Sequence, residues 1–358
     1  MANKELILVI NPGSTSTKVA LYEGEKQLSL LDLKHGAEEL KAYPSVNDQL
    51  GFRTEAVKKY LADNGVKTSD LAAIACRAGV VGALEPGAYV VDEKFRNASF
   101  DSPQPHPANL APVIGYELAK EAGGNVEVYM YDAVCGCGKP DPVYQITGMP
   151  EIERPFLTHV LNSRAVSIEQ AKRDGVRMDE HTYIVAHLGG GITVNLIDKG
   201  RILDFVGDDE GCFSPERTGG IPVRPLAKYC YRSGLDEKAM QKKLKGAGGL
   251  MAYLGTNDMR EVEKMMDAGD EKAKLCFEAM AMQVAQDIGL LATDVCGKVD
   301  KIILAGGLAY SERFTKEVIR RVEFIAPVSV IAGTYEMEAL AGGILRVLRG
   351  EEKAHRFV

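Results

Sequence analysis

The chain opens its first strand–turn–strand unit with Leu6-Ile-Leu-Val-Ile-Asn-Pro-Gly-Ser-Thr-Ser-Thr-Lys-Val-Ala-Leu-Tyr22. The apolar run Leu6–Ile10 predicts a buried strand, Asn11–Ser16 predicts a turn, and Thr17–Tyr22 predicts a returning strand. Gly24 then marks a hairpin. Small residues directly after a buried strand let backbone N–H groups turn toward an anion. This unit therefore indicates a phosphate-binding loop.

A similar unit recurs in the second half of the chain. Tyr183–Leu188 predicts a strand, Gly189-Gly190-Gly191 a turn, and Thr193–Ile197 a second strand. Gly13 maps onto Gly189, since 189 − 13 = 176. The same offset relates Leu8-Val9 to Ile184-Val185, Thr17 to Thr193, Leu21 to Ile197, and Gly24 to Gly200. The repeated pattern predicts two related halves, each opening with a glycine turn.

Strands alternate with helices in the rest of the chain, which predicts an α/β architecture. Helices are expected over 54–63, 110–122, 271–296 and 338–349, and strands over 71–76, 126–131, 301–305 and 328–331. Residues 97–107 have the composition of a loop. A third glycine turn, Gly306-Gly307, follows a predicted strand. Neither a P-loop nor a spaced GxGxxG fingerprint is present, which disfavours those two nucleotide-binding folds.

Length and charge limit the classes of function. At 358 residues the chain predicts about two domains, and its net charge of −7 disfavours nucleic acid as a partner. The run Leu6–Ile10 is too short for a signal-peptide core, and no apolar stretch approaches the ~20 residues that span a bilayer. We therefore expect a soluble, cytoplasmic protein. Seven scattered cysteines, including Cys135-Gly-Cys137, predict reduced structural thiols rather than disulfides.

The glycine loops and several further motifs together resemble one family, the acetate and butyrate kinases of the actin-like ATPase superfamily. The matching segments begin at Ile7, Cys76, His106, Pro150, His159, His187, Gly211, Tyr253, Leu304 and Glu336, so that the resemblance runs almost end to end. Ser214-Pro-Glu-Arg217 and Glu336-Met-Glu-Ala-Leu-Ala341 are similar to butyrate kinases rather than acetate kinases.

This resemblance implies two duplicated RNase H-like domains with a nucleotide cleft between them. Residues 1–148, completed by the C-terminal helix 339–358, would bind the acyl substrate, and residues 149–338 would bind the nucleotide. The implied reaction transfers the γ-phosphoryl group of ATP to butyrate, reversibly, with Mg²⁺ and with butyryl phosphate and ADP as products. The alternatives are a kinase for another short acid (isobutyrate or another branched acid, propionate or acetate) and a non-metabolic actin-like ATP-binding module. A homodimer or dimer-based assembly is expected, without nucleic acid or membrane.

The resemblance also implies catalytic roles. A carboxylic acid is already ionised at pH 7, so the reaction needs positioning, metal and cations rather than a general base. Arg77, at the end of a predicted strand, would bind the substrate carboxylate or the transferring phosphoryl group, and His159 would hydrogen-bond that phosphoryl group. The second active-site arginine would be Arg217, Arg224 or both. His106 would line the acyl pocket.

The remaining roles concern the nucleotide and the metal. The residues expected near the phosphates are Asn11, Ser14, Ser16, Lys18, His187, Gly189, Gly190 and Gly191, whereas Gly306 and Gly307 are expected near the adenosine. Asp132 and Glu336 would organise Mg²⁺, in part through water. Taken alone, the serines fit ordinary turn residues, His187 fits a strand cap, and each carboxylate fits a helix cap or a solvated charge.

Overall fold

The computed structural model describes residues 5–358; Met1–Lys4, which open the first predicted domain, lie outside this range. The described chain divides into two compact units. Unit 1 comprises the described residues up to Lys139 together with Tyr335–Val358, and unit 2 is Pro140–Thr334. Each unit is built on one β-sheet.

The two sheets share one order over five strands, and the sheet of unit 1 has a sixth strand at one edge. The strands of unit 1 are β1 (Leu6–Pro12), β2 (Ser16–Glu23), β3 (Lys26–Lys34), β4 (Ala73–Cys76), β5 (Ala88–Val90) and β6 (Glu127–Tyr131). Those of unit 2 are β7 (Thr182–Leu188), β8 (Ile192–Asp198), β9 (Arg201–Val206), β10 (Lys301–Gly306) and β11 (Val328–Ala332). In space they run β3-β2-β1-β4-β6-β5 and β9-β8-β7-β10-β11. The common order confirms the predicted duplicated α/β fold.

The strand pairing corrects the single predicted offset between the halves. Leu8 pairs with Leu21 in unit 1, whereas Ile184 pairs with Leu196 in unit 2. The first strands are therefore offset by 184 − 8 = 176, but the second strands by 196 − 21 = 175. The turn between β1 and β2 is one residue longer than the turn between β7 and β8. The 175 offset also brings the pairing irregularity after Leu21 onto the one after Leu196.

Helices surround the sheets. They are α1 (Ala37–Lys41), α2 (Leu50–Asp63), α3 (Glu93–Phe100), α4 (Leu110–Glu121), α5 (Val160–Asp174), α6 (Val223–Arg232), α7 (Glu237–Leu244), α8 (Gly249–Leu254), α9 (Met259–Asp267), α10 (Glu271–Asp294), α11 (Glu312–Val322) and α12 (Glu336–Leu348). Helix α3 shows that the expected loop over 97–107 is wrong for its first residues. The signals lie upstream of that window: Asp92 caps the helix by accepting the N–H of Phe95 at 2.9 Å, and Phe95 is buried.

Helix α10 carries the core of unit 2. Its buried face includes Phe277, Ala281, Val284, Ile288 and Leu291, which step by four and three residues as predicted and pack into the core that includes β7, β8 and β10. Among the described residues, α10 alone is long and apolar enough to cross a membrane by length and composition. Half of its most apolar window is buried inside the protein, and the core helix of a soluble protein passes the same test.

Candidate active site

Two parallel strands of unit 1 end side by side and bring together residues that are far apart in sequence. Strand β1 pairs with β4 so that Ile10 lies opposite Cys76, and the N–H of Arg77 donates to the carbonyl oxygen of Ile10 at 3.1 Å. Asn11 and Arg77 therefore follow neighbouring strand positions. The carboxyl ends of parallel strands are the usual place for a ligand site in α/β folds.

Glu336, the first residue of α12, joins these two side chains. Its Oε1 accepts from Nη1 of Arg77 at 2.8 Å, and its Oε2 accepts from Nδ2 of Asn11 at 2.9 Å. Nη1 of Arg77 also approaches Oδ1 of Asn11 at 3.4 Å. Within residues 5–358, Nε and Nη2 of Arg77 donate to no protein acceptor. The edge formed by Nε and Nη2 has the spacing that binds a carboxylate or phosphoryl group through two hydrogen bonds.

The turn between β1 and β2 contains the other predicted phosphate-binding residues of unit 1. It is closed by the N–H of Gly13, which donates to the carbonyl oxygen of Ser16 at 2.8 Å. Ser14 is exposed, whereas Ser16 and Lys18 are half-buried. The turn thus presents one serine to solvent and holds the other beside the sheet.

Asp132 follows β6 and is buried. Its backbone is left-handed, with φ of 42°, and its Oδ1 accepts the N–H of Gly87 at 2.7 Å. A left-handed aspartate after a strand is a mild strain of the kind that accumulates at functional sites. His106 is exposed and its Nδ1 accepts the N–H of Ala108 at 3.1 Å, which caps the short helix Pro107–Asn109. This contact gives His106 a local structural role, and its place in an acyl pocket stays a prediction.

The segment after Asp132 packs behind the loop that follows Arg77. Cys135 and Cys137 are buried, and Sγ of Cys135 donates to the carbonyl oxygen of Gly79 at 3.5 Å. Burial raises the pKa of the Cys135 thiol, which keeps it protonated. No cluster of three or more His, Cys, Asp or Glu that could hold a metal occurs in the described part of the chain.

Unit 2 contains a pocket of about 680 Å³ at the ends of β7 and β10. Among the residues that line it are Gly189, Gly190 and Gly307, three of the predicted nucleotide-binding positions. The other lining residues are Pro215, Glu216, Asn257, Asp258, Met259, Arg260, Glu263, Leu308, Tyr310 and Ser311. Backbone from two separate glycine turns thus forms one concave surface, as a nucleotide site requires.

Gly191 and Gly306 do not line this pocket. Gly306 has φ of +93°, and a Cβ there would overlap the backbone of Leu188, because β7 and β10 approach closely at this point. Gly191 lies against the guanidinium group of Arg217, which would overlap a Cβ at that position. These two glycines fit close packing, whereas nothing lies within 4 Å of the position of a Cβ on Gly307.

His159 and His187 stack on each other with ring centroids 4.3 Å apart. Nδ1 of His159 lies 3.0 Å from Oγ1 of Thr193, and Nδ2 of Asn162 donates to Nδ1 of His187 at 2.9 Å. A neutral His187 ring then carries its proton on Nε2. That nitrogen is 3.2 Å from the position of a Cβ on Gly189, so the imidazole flanks the glycine turn.

The two candidate arginines lie in different surroundings. Arg217 contacts Gly191 and forms an ion pair with Asp208, and burial lowers the pKa of its guanidinium. Arg224 is exposed on α6, a helix with no buried residue. The structure brings Arg217, and not Arg224, to the glycine turn of unit 2.

The sequence alone did not single out two polar residues of the pocket. Glu216 donates its N–H to the carbonyl oxygen of Gly190 at 3.2 Å, and its Oε1 accepts from Nδ2 of Asn257 at 2.5 Å. Ser214 also donates its hydroxyl to Gly190, at 2.7 Å. Glu216 belongs to Ser214-Pro-Glu-Arg217, and Asn257 belongs to Tyr253-Leu-Gly-Thr-Asn-Asp258, the matching segment that begins at Tyr253. Membership of these motifs is the signal that identifies them.

Known proteins with similar sequences are matched over nearly the whole chain. A model of the acetokinase family matches residues 154–328. Probable butyrate kinase 2 of Caldanaerobacter subterraneus subsp. tengcongensis is 46% identical over 348 residues, covering 97% of this chain and 98% of that protein. Butyrate kinase 1 of Clostridium acetobutylicum is 39% identical over 354 residues, covering 98% of this chain and 99% of that protein.

Solved structures share the fold at much lower identity. Acetate kinase of Porphyromonas gingivalis has a TM-score of 0.80 at 18% identity and covers 96% of this chain and 100% of its own. A propionate kinase from Francisella tularensis has a TM-score of 0.76 at 19% identity, covering 96% of this chain and 99% of that chain.

Proposed function

The chain belongs to the acetokinase family, and from that premise we propose that it is a butyrate kinase. It transfers the γ-phosphoryl group of ATP to the carboxylate of butyrate and forms butyryl phosphate and ADP, reversibly. The names of the relatives that match nearly its full length support butyrate as the acid. We assign the acyl substrate to unit 1 and the nucleotide to unit 2.

The observation that carries this assignment is the arrangement of Asn11, Arg77 and Glu336. Glu336 fixes one end of the Arg77 guanidinium at 2.8 Å, while the edge formed by Nε and Nη2 is open. An ionised short-chain acid matches that edge with both oxygens. Because the acid is already an anion at pH 7, no residue has to remove a proton before it attacks. The protein therefore acts by positioning and by charge.

The nucleotide is proposed to bind the pocket of unit 2. The turns at Gly189-Gly190 and Gly307 would receive the phosphates and the adenosine through backbone groups. His159 and His187, stacked beside this turn, would donate to phosphoryl oxygens. We propose Arg217 as the second active-site arginine because it contacts the same turn, which Arg224 does not.

The two carboxylates of unit 1 suit a magnesium ion of the kind that kinases bind together with phosphate oxygens. Mg²⁺ in kinases keeps several waters and takes one or two carboxylates besides the phosphates, so it needs no cluster of protein ligands. Asp132 and Glu336 would hold it, chiefly through water, because their oxygens already accept hydrogen bonds from Gly87, Arg77 and Asn11. When bound, Mg²⁺ neutralises charge on the phosphates.

The test is a panel of acids assayed with ATP and Mg²⁺, with acyl phosphate trapped by hydroxylamine. We expect acyl hydroxamate with butyrate, and a higher kcat/KM for butyrate than for acetate, propionate or isobutyrate. A preference for another acid would replace butyrate within the same class. Slow ATP hydrolysis with no hydroxamate from any acid would contradict the kinase assignment and favour an ATP-binding module.

Arg77 offers a direct test of the substrate site. Arg77→Lys keeps the charge but removes the two-pronged edge, so we expect KM for butyrate to rise at least about 10-fold. ADP affinity should stay within about twofold. Arg96→Lys is the matched control, since Arg96 forms a similarly exposed ion pair with Glu117 at 3.1 Å. Equal KM changes in both variants would contradict the assignment.

We also propose a cytoplasmic homodimer or dimer-based assembly. Support for self-association comes from α6, which buries none of its residues and leaves Val223 and Tyr231 76% and 93% exposed. Exposed apolar patches are common at protein–protein contacts. Sedimentation of wild type and of Tyr231→Glu tests this: wild type should be dimeric, and a monomeric wild type would contradict it.

A further inference from the structure

Arg53 is a completely buried arginine behind the turn between β1 and β2. It lies on α2 and is 0% exposed. Its Nη2 donates to the carbonyl oxygen of Gly13 at 3.0 Å, and its Nη1 donates to the carbonyl oxygen of Ser16 and to Oγ1 of Thr17, both at 2.9 Å. Nε and Nη2 donate to Oε1 of Gln49 at 3.1 and 2.9 Å. These five hydrogen bonds use all five N–H groups of the guanidinium.

The positive charge of Arg53 has no negative partner in the described structure. All of its acceptors are carbonyl, amide or hydroxyl oxygens, and no carboxylate of residues 5–358 forms an ion pair with it. A guanidinium group remains protonated even when buried. A buried charge without a counter-ion is costly, so its presence here needs a compensating gain.

The orientation of the turn indicates where that compensation comes from. The carbonyl oxygen of Gly13 points to Arg53, and none of the described peptide bonds is cis. In a planar trans peptide the N–H points opposite to the carbonyl, so the N–H of Ser14 faces away from Arg53. Ser14 is on the exposed side of the turn. Arg53 therefore pulls carbonyl oxygens inward and turns an amide group outward, toward the position of an anion.

A second side chain completes this support. His35 donates its backbone N–H to the carbonyl oxygen of Thr15 at 2.9 Å, and its Nε2 lies 2.8 Å from Oγ1 of Thr17. Oγ1 of Thr17 therefore has side-chain partners on both elements, Arg53 and His35. The turn is thus held from α2 and from the end of β3 together.

We propose that Arg53 is a positioning residue that holds the turn Gly13–Thr17 ready for a phosphoryl group and that this group supplies the negative charge that Arg53 lacks. The proposal rests on the proposed function and on the role that the family resemblance implies for Ser14, Ser16 and Lys18, which is to lie near the transferring phosphoryl group. That group is the γ-phosphate of ATP in one direction and the phosphate of the acyl phosphate in the other. ADP contains neither.

The experiment compares Arg53→Met, which removes charge and hydrogen bonds, with Arg53→Lys, which restores the charge. Calorimetry with ATP and with ADP, the KM for butyryl phosphate, kcat and the melting temperature are measured for each. We expect Arg53→Met to weaken the binding of ATP at least about 10-fold and to raise the KM for butyryl phosphate by a similar factor. The affinity for ADP should stay within about twofold of the wild-type value. Arg53→Lys should recover at least about 10-fold of the kcat lost.

Arg164→Met is the matched control. Arg164 is also buried, and its Nη1 donates to the carbonyl oxygen of Gly200 in the turn between β8 and β9, at 2.6 Å. We expect this variant to lose melting temperature as Arg53→Met does while keeping its kcat. If both variants lose kcat in proportion to their stability, Arg53 is only structural and the proposal is overturned.

The outcomes separate this proposal from the proposed function. Suppose that wild type makes acyl hydroxamate and that Arg53→Met binds ATP and ADP with wild-type affinities. This result would overturn only the role of Arg53. If wild type makes no acyl hydroxamate, the proposed function fails, and the difference between ATP and ADP affinity still decides for or against Arg53. If Arg53→Met does not fold, Arg53→Lys decides: equal losses of ATP and ADP affinity overturn the proposal.

Discussion

Gly306 and Gly307 are neighbours, yet the structure predicts opposite consequences for the same substitution. Gly306 has φ of +93° and ψ of 179°, a conformation essentially restricted to glycine. A Cβ on Gly306 would also overlap the backbone of Leu188. Gly307 has open space around the position of a Cβ and lines the pocket. We therefore expect Gly306→Ala to destabilise the fold and Gly307→Ala to weaken only nucleotide binding.

The magnitudes follow from these two environments. For Gly306→Ala the backbone conformation costs about 1–3 kcal/mol and the overlap a further ~1–3 kcal/mol, because Leu188 is held in a central strand. At about 2–4 °C per kcal/mol, a total near 4 kcal/mol lowers the melting temperature by roughly 10 °C. Gly307→Ala should change stability by less than about 0.5 kcal/mol. A methyl group in the pocket should weaken the binding of ADP at least about 10-fold, which corresponds to ~1.4 kcal/mol of binding free energy.

The assay is thermal unfolding of wild type and both variants, with and without ADP, alongside calorimetry with ADP. Without ligand, wild type and Gly307→Ala should have the same melting temperature. ADP should raise the melting temperature of Gly307→Ala less than that of wild type. Gly306→Ala should melt lowest. If Gly306→Ala has the melting temperature of wild type, the close approach of β7 and β10 is not the reason why this position requires glycine. Wild-type ADP affinity in Gly307→Ala would refute the pocket as the nucleotide site.

Two pH dependences follow from buried groups. Burial and the charge of Asp204 raise the pKa of Asp294 to about 6, so the native state loses stability as pH rises from about 4 through 6. Asp294→Asn should raise the melting temperature by roughly 3–6 °C at pH 7.5 and not at pH 4; equal shifts at both would contradict this. The pKa of His35 is lowered, chiefly by burial and then by the charge of Arg53, whereas the charge of Glu39 acts in the opposite direction. The unfolded chain therefore binds the proton first, and stability falls as pH drops below about 6.5. His35→Gln should flatten that slope in urea unfolding at pH 5.5 and 7.5, and an unchanged slope would contradict the reasoning.

Much of the fold could be predicted because apolar strands and long amphipathic helices have strong local patterns. Strand β1 is buried along its whole length, and its apolar run was recognisable without any partner. The pairing register was not recognisable, because a turn can gain one residue without changing the pattern of either strand. The composition of 97–107 does not indicate the end of α3, because the cap and the buried phenylalanine of this helix lie before residue 97.

The site could be predicted where chemistry resides in a local motif. Glycine turns, and Arg77 at a strand end, are visible in a short window of sequence. The contact of Arg77 with Glu336 spans 259 positions, and only the family resemblance suggested that both belong to one site. Arg53 had no such signal: a lone arginine in an amphipathic helix usually faces water. Its burial depends on tertiary packing, which sequence periodicity does not contain.

The duplicated framework explains why the two glycine turns differ. The pairing of the first three strands, and even the irregularity within the second strand, are the same in both units. The first strand of each unit is buried along its whole length, which leaves the pairing little freedom. The turns are free of that constraint. In unit 1 the turn is one residue longer and is held by the buried cation Arg53, whereas in unit 2 the carbonyl oxygen of Gly190 accepts from Ser214 and from the N–H of Glu216. The unit 2 turn also has a cation beside it, Arg217, but that cation is paired with Asp208, whereas Arg53 behind the unit 1 turn has no carboxylate partner among the described residues. The two turns are therefore not equally suited to the same anion. The electrostatics therefore favour the unit 1 turn for the more highly charged phosphoryl group.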